Sequence, residues 1–140
     1  MIGADHSKPD FSGEYVLNRA ASTLSPAGAA NVESSRVRIE HQEPLFRSEF
    51  VYVFNNGQRF EGAFELTTDG REVTGVERGQ SIVSSLGWEG DAIVFTTRGN
   101  GTMTFRYELI EDRLRMSEQL RGTDHDQDNV WIFDRLASSL

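Results

Sequence analysis

One carboxylate, that of Glu118, falls on the apolar face of a predicted strand. Along residues 113–121 it shares its parity with Leu114, Met116 and Leu120, whereas arginines occupy the opposite face. Successive side chains of a strand point to opposite faces, so the pattern predicts that Glu118 points into the protein interior. A β-bulge after Met116 would instead turn it outward.

An isolated buried carboxylate is costly, so Glu118 should be paired, hydrogen-bonded or protonated. Its candidate partners on neighbouring inward positions are Tyr107, Trp131 and Arg135. Such a carboxylate orients the polar end of a bound molecule in a binding protein, or serves as acid or base in an enzyme. If Glu118 has neither role, His41 or Tyr52 is the next interior polar candidate.

His41 is the second candidate, because it shares the inward parity of Val37 and Ile39 at a strand end. It has the chemistry of a general base or a metal ligand. We favour a structural histidine that hydrogen-bonds to the backbone. The other histidines, His6 and His125, fall in a tail and a loop, so no two stand at ligand spacing and no metal site is predicted.

Other motifs lack the residues that would make them sites. Residues 124–128, Asp-His-Asp-Gln-Asp, open like a calcium loop but are not followed by its sixth-position glycine and twelfth-position glutamate. No helix pattern follows the Gly-Asn-Gly run at 99–101, so we expect a turn and not a phosphate cradle. Ser84 and Ser85 stand outside any Gly-x-Ser-x-Gly elbow, and the chain has no cysteine. We predict no cofactor and assign no catalytic residue.

Composition excludes several partners. A formal net charge of -8 disfavours nucleic acid and anionic lipid, which reward clustered lysine and arginine. No apolar run approaches the roughly 18 residues of a spanning helix, so membrane insertion is not expected. We expect a soluble protein, cytoplasmic as written or exported if a leader has been removed. Its oligomeric state is left open.

The elements that would position these side chains are strands. Period-two alternation recurs in segments separated by Gly, Asn and Asp, which is the pattern of consecutive hairpins. The predicted strands are residues 13–19, 33–41, 45–54, 59–66, 72–76, 81–88, 92–98, 102–110, 113–121 and 129–136. Residues 20–30 are the exception and predict a short helix or a long loop.

An all-β, closed, antiparallel up-and-down barrel of about 8–10 strands follows, because pairing the last strand with the first removes exposed edges. We expect a polar tail at residues 1–10 and one barrel domain at 11–137. Assigning the apolar parity to the interior gives a mostly aromatic lining. The residues expected to contact a ligand are Phe50, Tyr52, Phe64, Met103, Phe105, Tyr107, Met116, Glu118, Trp131 and Phe133.

Both chain ends carry a family resemblance. The run Phe11-Ser12-Gly13-Glu14-Tyr15, its Ser/Pro-rich continuation and the last strand, Val-Trp-Ile-Phe-Asp-Arg at 130–135, resemble bacterial lipocalin-like proteins, which are calycin-type β-barrels. The resemblance implies that Arg135 packs against Tyr15 to close the barrel, although similar arginines receive a ligand carboxylate in fatty-acid binders. It also implies a barrel that encloses a small hydrophobic molecule.

Three functions are consistent with such a barrel. The first is non-enzymatic binding of a small, largely hydrophobic molecule. The second is an enzyme of cyclase or isomerase type that folds a hydrophobic substrate around a few polar groups. The third is a structural module whose interior is filled by side chains. The volume of the interior cavity separates the third from the other two.

Overall fold

The computed structural model describes residues 8–26, 28–77, 79–122 and 126–136, and ten strands form in these ranges. They are β1 (Gly13–Leu17), β2 (Val32–Gln42), β3 (Leu45–Phe54), β4 (Arg59–Thr67), β5 (Val73–Glu77), β6 (Gln80–Glu89), β7 (Ala92–Arg98), β8 (Thr102–Ile110), β9 (Arg113–Arg121) and β10 (Gln127–Arg135). All pairings are antiparallel. The all-β, up-and-down architecture is therefore confirmed.

The strands form one sheet that curls into a nearly closed barrel. Their order is β4-β3-β2-β1-β10-β9-β8-β7-β6-β5, so β10 pairs with β1 as predicted. Closure leaves one gap, because β4 and β5 at the two ends of the sheet are not hydrogen-bonded to each other. The chain leaving β4 is attached to β6 instead: Gly70 donates its backbone N–H to the Leu86 carbonyl at 2.8 Å.

The segment between β1 and β2 is a long loop. It contains two single 3-10 turns, at Arg19–Ala21 and Ala29–Asn31. The backbones of Thr23 and Val130 exchange two hydrogen bonds of 2.8 Å each, which tie the loop to β10. Among the described residues, no helix has the length and apolar character needed to cross a membrane.

An apolar plug fills one end of the barrel. Its members share complete or nearly complete burial: Phe11, Tyr15, Phe46, Leu86, Ile93, Leu114 and Phe133 are all 0% exposed. Burying each such side chain stabilises the fold by roughly 1.5–3 kcal/mol. The rings of Phe11 and Phe46 meet edge to face at 6.2 Å. This end is thus packed solid.

The chain termini meet at the plug. Arg135 lies opposite Tyr15 in the β1–β10 register, with its guanidinium carbon 5.4 Å from the Tyr15 ring centroid. Its Nη2 donates hydrogen bonds to the Tyr15 hydroxyl at 3.1 Å and the Ser12 carbonyl at 2.6 Å. Gly13 leaves room for this crossing, since a Cβ there would stand 3.1 Å from the Arg135 Nε, and its φ is +149°.

We predict that Gly13→Ala lowers the free energy of unfolding by about 1–3 kcal/mol, the usual cost of forcing a side chain into such a backbone conformation. Gly75→Ala is the matched control, because a Cβ at Gly75 meets nothing within 4 Å. Denaturant titrations of both variants check this. Equal stability of the two variants would contradict it.

Candidate functional site

A cavity of about 730 Å³ occupies the half of the barrel away from the plug. Its walls come from the facing parts of β2 to β4 and β6 to β10, with Gly28 and Ala29 of the loop at one side. The lining is mainly apolar, and it extends outward to Phe60, which is 53% exposed. The cavity therefore reaches the surface near Phe60.

Nine of the ten residues predicted to contact a ligand line this cavity. Phe133 does not, because it is 0% exposed within the plug, where it lies opposite Leu114. Alternation placed Phe133 on the correct face of β10, but alternation carries no information on depth along the barrel axis. Tyr15 and Arg135 also lie outside the cavity lining.

Aromatic rings build the cavity wall. Phe64 of β4 and Phe95 of β7 stack at 4.5 Å across the interior, and Tyr52 meets the edge of Trp131 at 5.5 Å. Phe50 packs directly over Gly62, where an added Cβ would stand 2.7 Å from its ring. Offset and edge-to-face contacts of this kind contribute about 0.5–1.5 kcal/mol each. These contacts hold the rings of the wall in place, while the cavity that they enclose stays open.

Glu118 points into the cavity, and two neighbours on β10 hold it there. Its Oε1 accepts hydrogen bonds from the Trp131 indole N–H at 2.9 Å and the Asn129 side-chain amide at 3.0 Å. Trp131 was among the predicted partners. The other two, Tyr107 and Arg135, make no hydrogen bond to Glu118. The sequence pattern missed Asn129, whose side chain is buried.

The cavity tyrosines resist ionisation. Burial raises the pKa of Tyr52, and the negative charge of Glu118 raises it further. Burial also raises the pKa of Tyr107, with additional contributions from Tyr52 and Glu118. Both phenols are consequently neutral hydrogen-bonding groups at physiological pH.

Two buried hydroxyls lack partners. Within the described part of the chain, Ser35 Oγ and Ser48 Oγ make no hydrogen bond, and Ser48 lines the cavity. An unsatisfied buried hydroxyl costs about 1–3 kcal/mol, so such groups call for an explanation. Ser48 itself is only 1% exposed. Ser84, by contrast, donates to the Thr97 hydroxyl at 3.1 Å.

His41 belongs to the plug and not to the cavity. Its Nδ1 accepts the backbone N–H of Phe11 at 3.1 Å, so Nε2 carries the proton and donates to Glu43, 2.6 Å away. Glu43 also accepts hydrogen bonds from the Trp88 indole and the Thr68 hydroxyl, at 2.8 and 2.9 Å. Burial would raise the pKa of Glu43, but these hydrogen bonds outweigh it and lower the pKa.

The remaining candidates provide no site in the described ranges. No group of three or more His, Cys, Asp or Glu side chains is placed to hold a metal ion there. Of the calcium-like run at 124–128, Gln127 and Asp128 belong to β10, while 124 and 125 lie outside the described residues. His6 also lies outside them, as does most of the predicted polar tail.

Comparison with known proteins supports the barrel architecture. No family model and no curated protein matches the sequence. Among solved structures, a REP1-NXSQ fatty acid transporter has a TM-score of 0.66 at 14% identity, over 91% of this chain and 97% of that one. The chain has a calycin-type β-barrel fold.

Two further structures share this calycin-type fold. A Schistosoma mansoni fatty acid binding protein in complex with arachidonic acid has a TM-score of 0.64 at 15% identity, over 91% of this chain and 96% of that one. Secretory abundant heat soluble protein 4 from Ramazzottius varieornatus has a TM-score of 0.62 at 13% identity, over 96% and 100%.

We predict that none of the three tyrosines titrates near its usual pKa of about 10 while the protein is folded. Burial raises the pKa of Tyr15 as well, although Arg135 partly opposes the shift. Because folding raises these pKa values, their contribution to stability is complete below about pH 10 and is lost as the pH rises further. Phenolate absorbance should therefore appear only with unfolding, monitored by circular dichroism.

Unfolding in denaturant at neutral pH, followed by the same absorbance titration, provides the control, because all three phenols should then ionise near pH 10. A folded protein that gains phenolate absorbance near that pH would contradict the burial of these groups.

Proposed function

We propose that this protein binds a small, largely hydrophobic molecule inside its barrel. The observation that carries the proposal is the cavity of about 730 Å³ with a mainly apolar, aromatic lining. Ligand sites of small molecules have volumes of about 300–1,000 Å³ and combine apolar walls with a few placed polar groups. Glu118, Asn129, Tyr52 and Tyr107 are among the polar groups here.

An open volume of this size does not support a barrel filled by its own side chains, because well-packed interiors contain few voids larger than a water molecule. A cyclase or isomerase would require Glu118 to transfer a proton. In the structure two hydrogen bonds to Oε1 fix the orientation of this carboxylate and leave Oε2 as an acceptor, an arrangement that suits the binding of a polar end. Binding is therefore the function that we propose.

The similar structures support the class of ligand. Two of them are named as a fatty acid transporter and as a fatty acid binding protein in complex with arachidonic acid, which is an apolar molecule with one polar end. The motifs at the two chain ends support membership of the bacterial lipocalin-like proteins. As ligand contacts we propose the nine predicted residues that line the cavity.

For Tyr15 and Arg135 we propose a role in barrel closure. Arg135→Ala removes the guanidinium that bridges Tyr15 and Ser12, so we predict a lower melting temperature with unchanged ligand affinity. Thermal unfolding and calorimetric titration of the same preparation check this. Normal melting combined with lost binding would reverse the assignment.

The proposed function is tested by filling the cavity. Thr97 lines it, whereas Thr96, its neighbour on β7, belongs to the opposite face. We predict that Thr97→Phe reduces affinity for an apolar fluorescent probe by at least about tenfold, because the ring occupies ligand space, whereas Thr96→Phe leaves it unchanged. Native mass spectrometry of freshly purified protein should show a bound small molecule that the Thr97 variant lacks.

Circular dichroism establishes that both variants fold before their affinities are compared. If wild type binds no apolar probe, or if both variants bind it equally, the cavity is not a binding site.

A further inference from the structure

The charged groups of the cavity limit the chemistry of its ligand. Among the described residues that line it, the charged side chains are Glu61 and Glu118, and there is no lysine, arginine or histidine. Glu61 lies at the mouth with 64% of its side chain exposed, where solvent screens its charge. Glu118 is therefore the charge that an enclosed molecule meets.

The resemblance suggested Arg135 as a cation that receives a ligand carboxylate, but Arg135 does not line the cavity. Arg135 is exposed, packs against Tyr15 at the plug and donates to Ser12. Arg106, on the outer face of β8, lies within 3.9 Å of Glu108. An acid placed in the described cavity would find no counter-ion there.

Acceptors are available instead. The hydrogen bonds from Trp131 and Asn129 both reach Oε1 of Glu118, and no described residue donates to its Oε2. The oxygen Oε2 is therefore a free acceptor inside the cavity.

The neighbouring phenols, Tyr52 and Tyr107, do not balance the negative charge of Glu118. Phenols are neutral at physiological pH, and burial together with the charge of Glu118 raises the pKa of Tyr52 and Tyr107 further. Neutral hydroxyls lining a carboxylate site can share hydrogen bonds with an ammonium or hydroxyl group of a ligand. They supply no positive charge for an anion.

We propose that the molecule bound in this cavity is an apolar chain or ring with a hydrogen-bond-donating end, and that Glu118 accepts a hydrogen bond from this end. A primary amine is the best such end, and an alcohol is the second best. This assignment rests on the proposed function. An ammonium on Glu118 makes a charge-assisted hydrogen bond, roughly twice as strong as a neutral one. A ligand carboxylate about 5 Å from Glu118 would be repelled by the equivalent of roughly a hundredfold in affinity at an effective dielectric constant of about 20.

Three ligands with the same alkyl chain test the assignment: dodecylamine, dodecanol and dodecanoate, each below its solubility limit and the two ionic ligands below their micelle concentrations. Calorimetric titration of the wild-type protein at neutral pH should give the affinity order amine, alcohol, acid, with at least about tenfold between the first and last. The shared chain makes the apolar contribution equal, so the ratio of affinities reports the polar end alone.

Two substitutions then locate the effect. Glu118→Gln keeps the size and the acceptor oxygen but removes the charge, so it should lower the amine-to-acid affinity ratio by at least about tenfold. Glu61→Gln is the matched control, a glutamate of the same cavity at the solvent-exposed mouth, and it should leave the ratio unchanged.

Each result of these titrations supports or overturns the ligand assignment. Dodecanoate binding as tightly as dodecylamine, or an unchanged ratio in a folded Glu118→Gln variant, overturns the ligand assignment while leaving the proposed function standing. Failure of all three ligands to bind overturns the proposed function and this assignment with it. If Glu118→Gln does not fold, the wild-type affinity order decides alone.

Discussion

The pairing of β1 with β10 is the constraint on which the structure depends. It joins two segments about as far apart in sequence as the fold allows, and it unites the β1–β4 and β5–β10 meanders in one ten-stranded sheet. In this pairing Arg135 lies opposite Tyr15 and packs over its ring, and Gly13 leaves room for the Arg135 side chain. Without that register, the inward faces of the first and last strands would not contribute to one interior.

The two ends of the barrel have different structures. At the end where the termini meet, buried apolar side chains fill the interior, and the exposed Glu43 accepts hydrogen bonds at its edge. At the other end the same strands continue with their rings lining a space. The two tryptophans illustrate the division, since Trp88 donates to Glu43 beside the plug and Trp131 donates to Glu118 in the cavity.

Alternation in the sequence was sufficient to predict the strands and the face of the sheet that each side chain occupies. The predicted bounds of β3, β7, β8 and β9 equal the observed ones, and the same parity placed Glu118 inside. Alternation does not report the position of a residue along the barrel axis, so Phe133 was predicted to line the cavity although it lies in the plug. Glu43 was missed because two of its three partners are remote in sequence: Thr68 is 25 residues away and Trp88 is 45.

The gap between β4 and β5 gives the barrel an unequal resistance to widening. Every other pair of neighbouring strands in the wall is joined by a ladder of backbone hydrogen bonds, whereas none joins β4 to β5. Beside this gap, the hydrogen bond from Gly70 to the Leu86 carbonyl ties the chain leaving β4 to β6. Widening the barrel along this one line therefore breaks no strand-to-strand ladder.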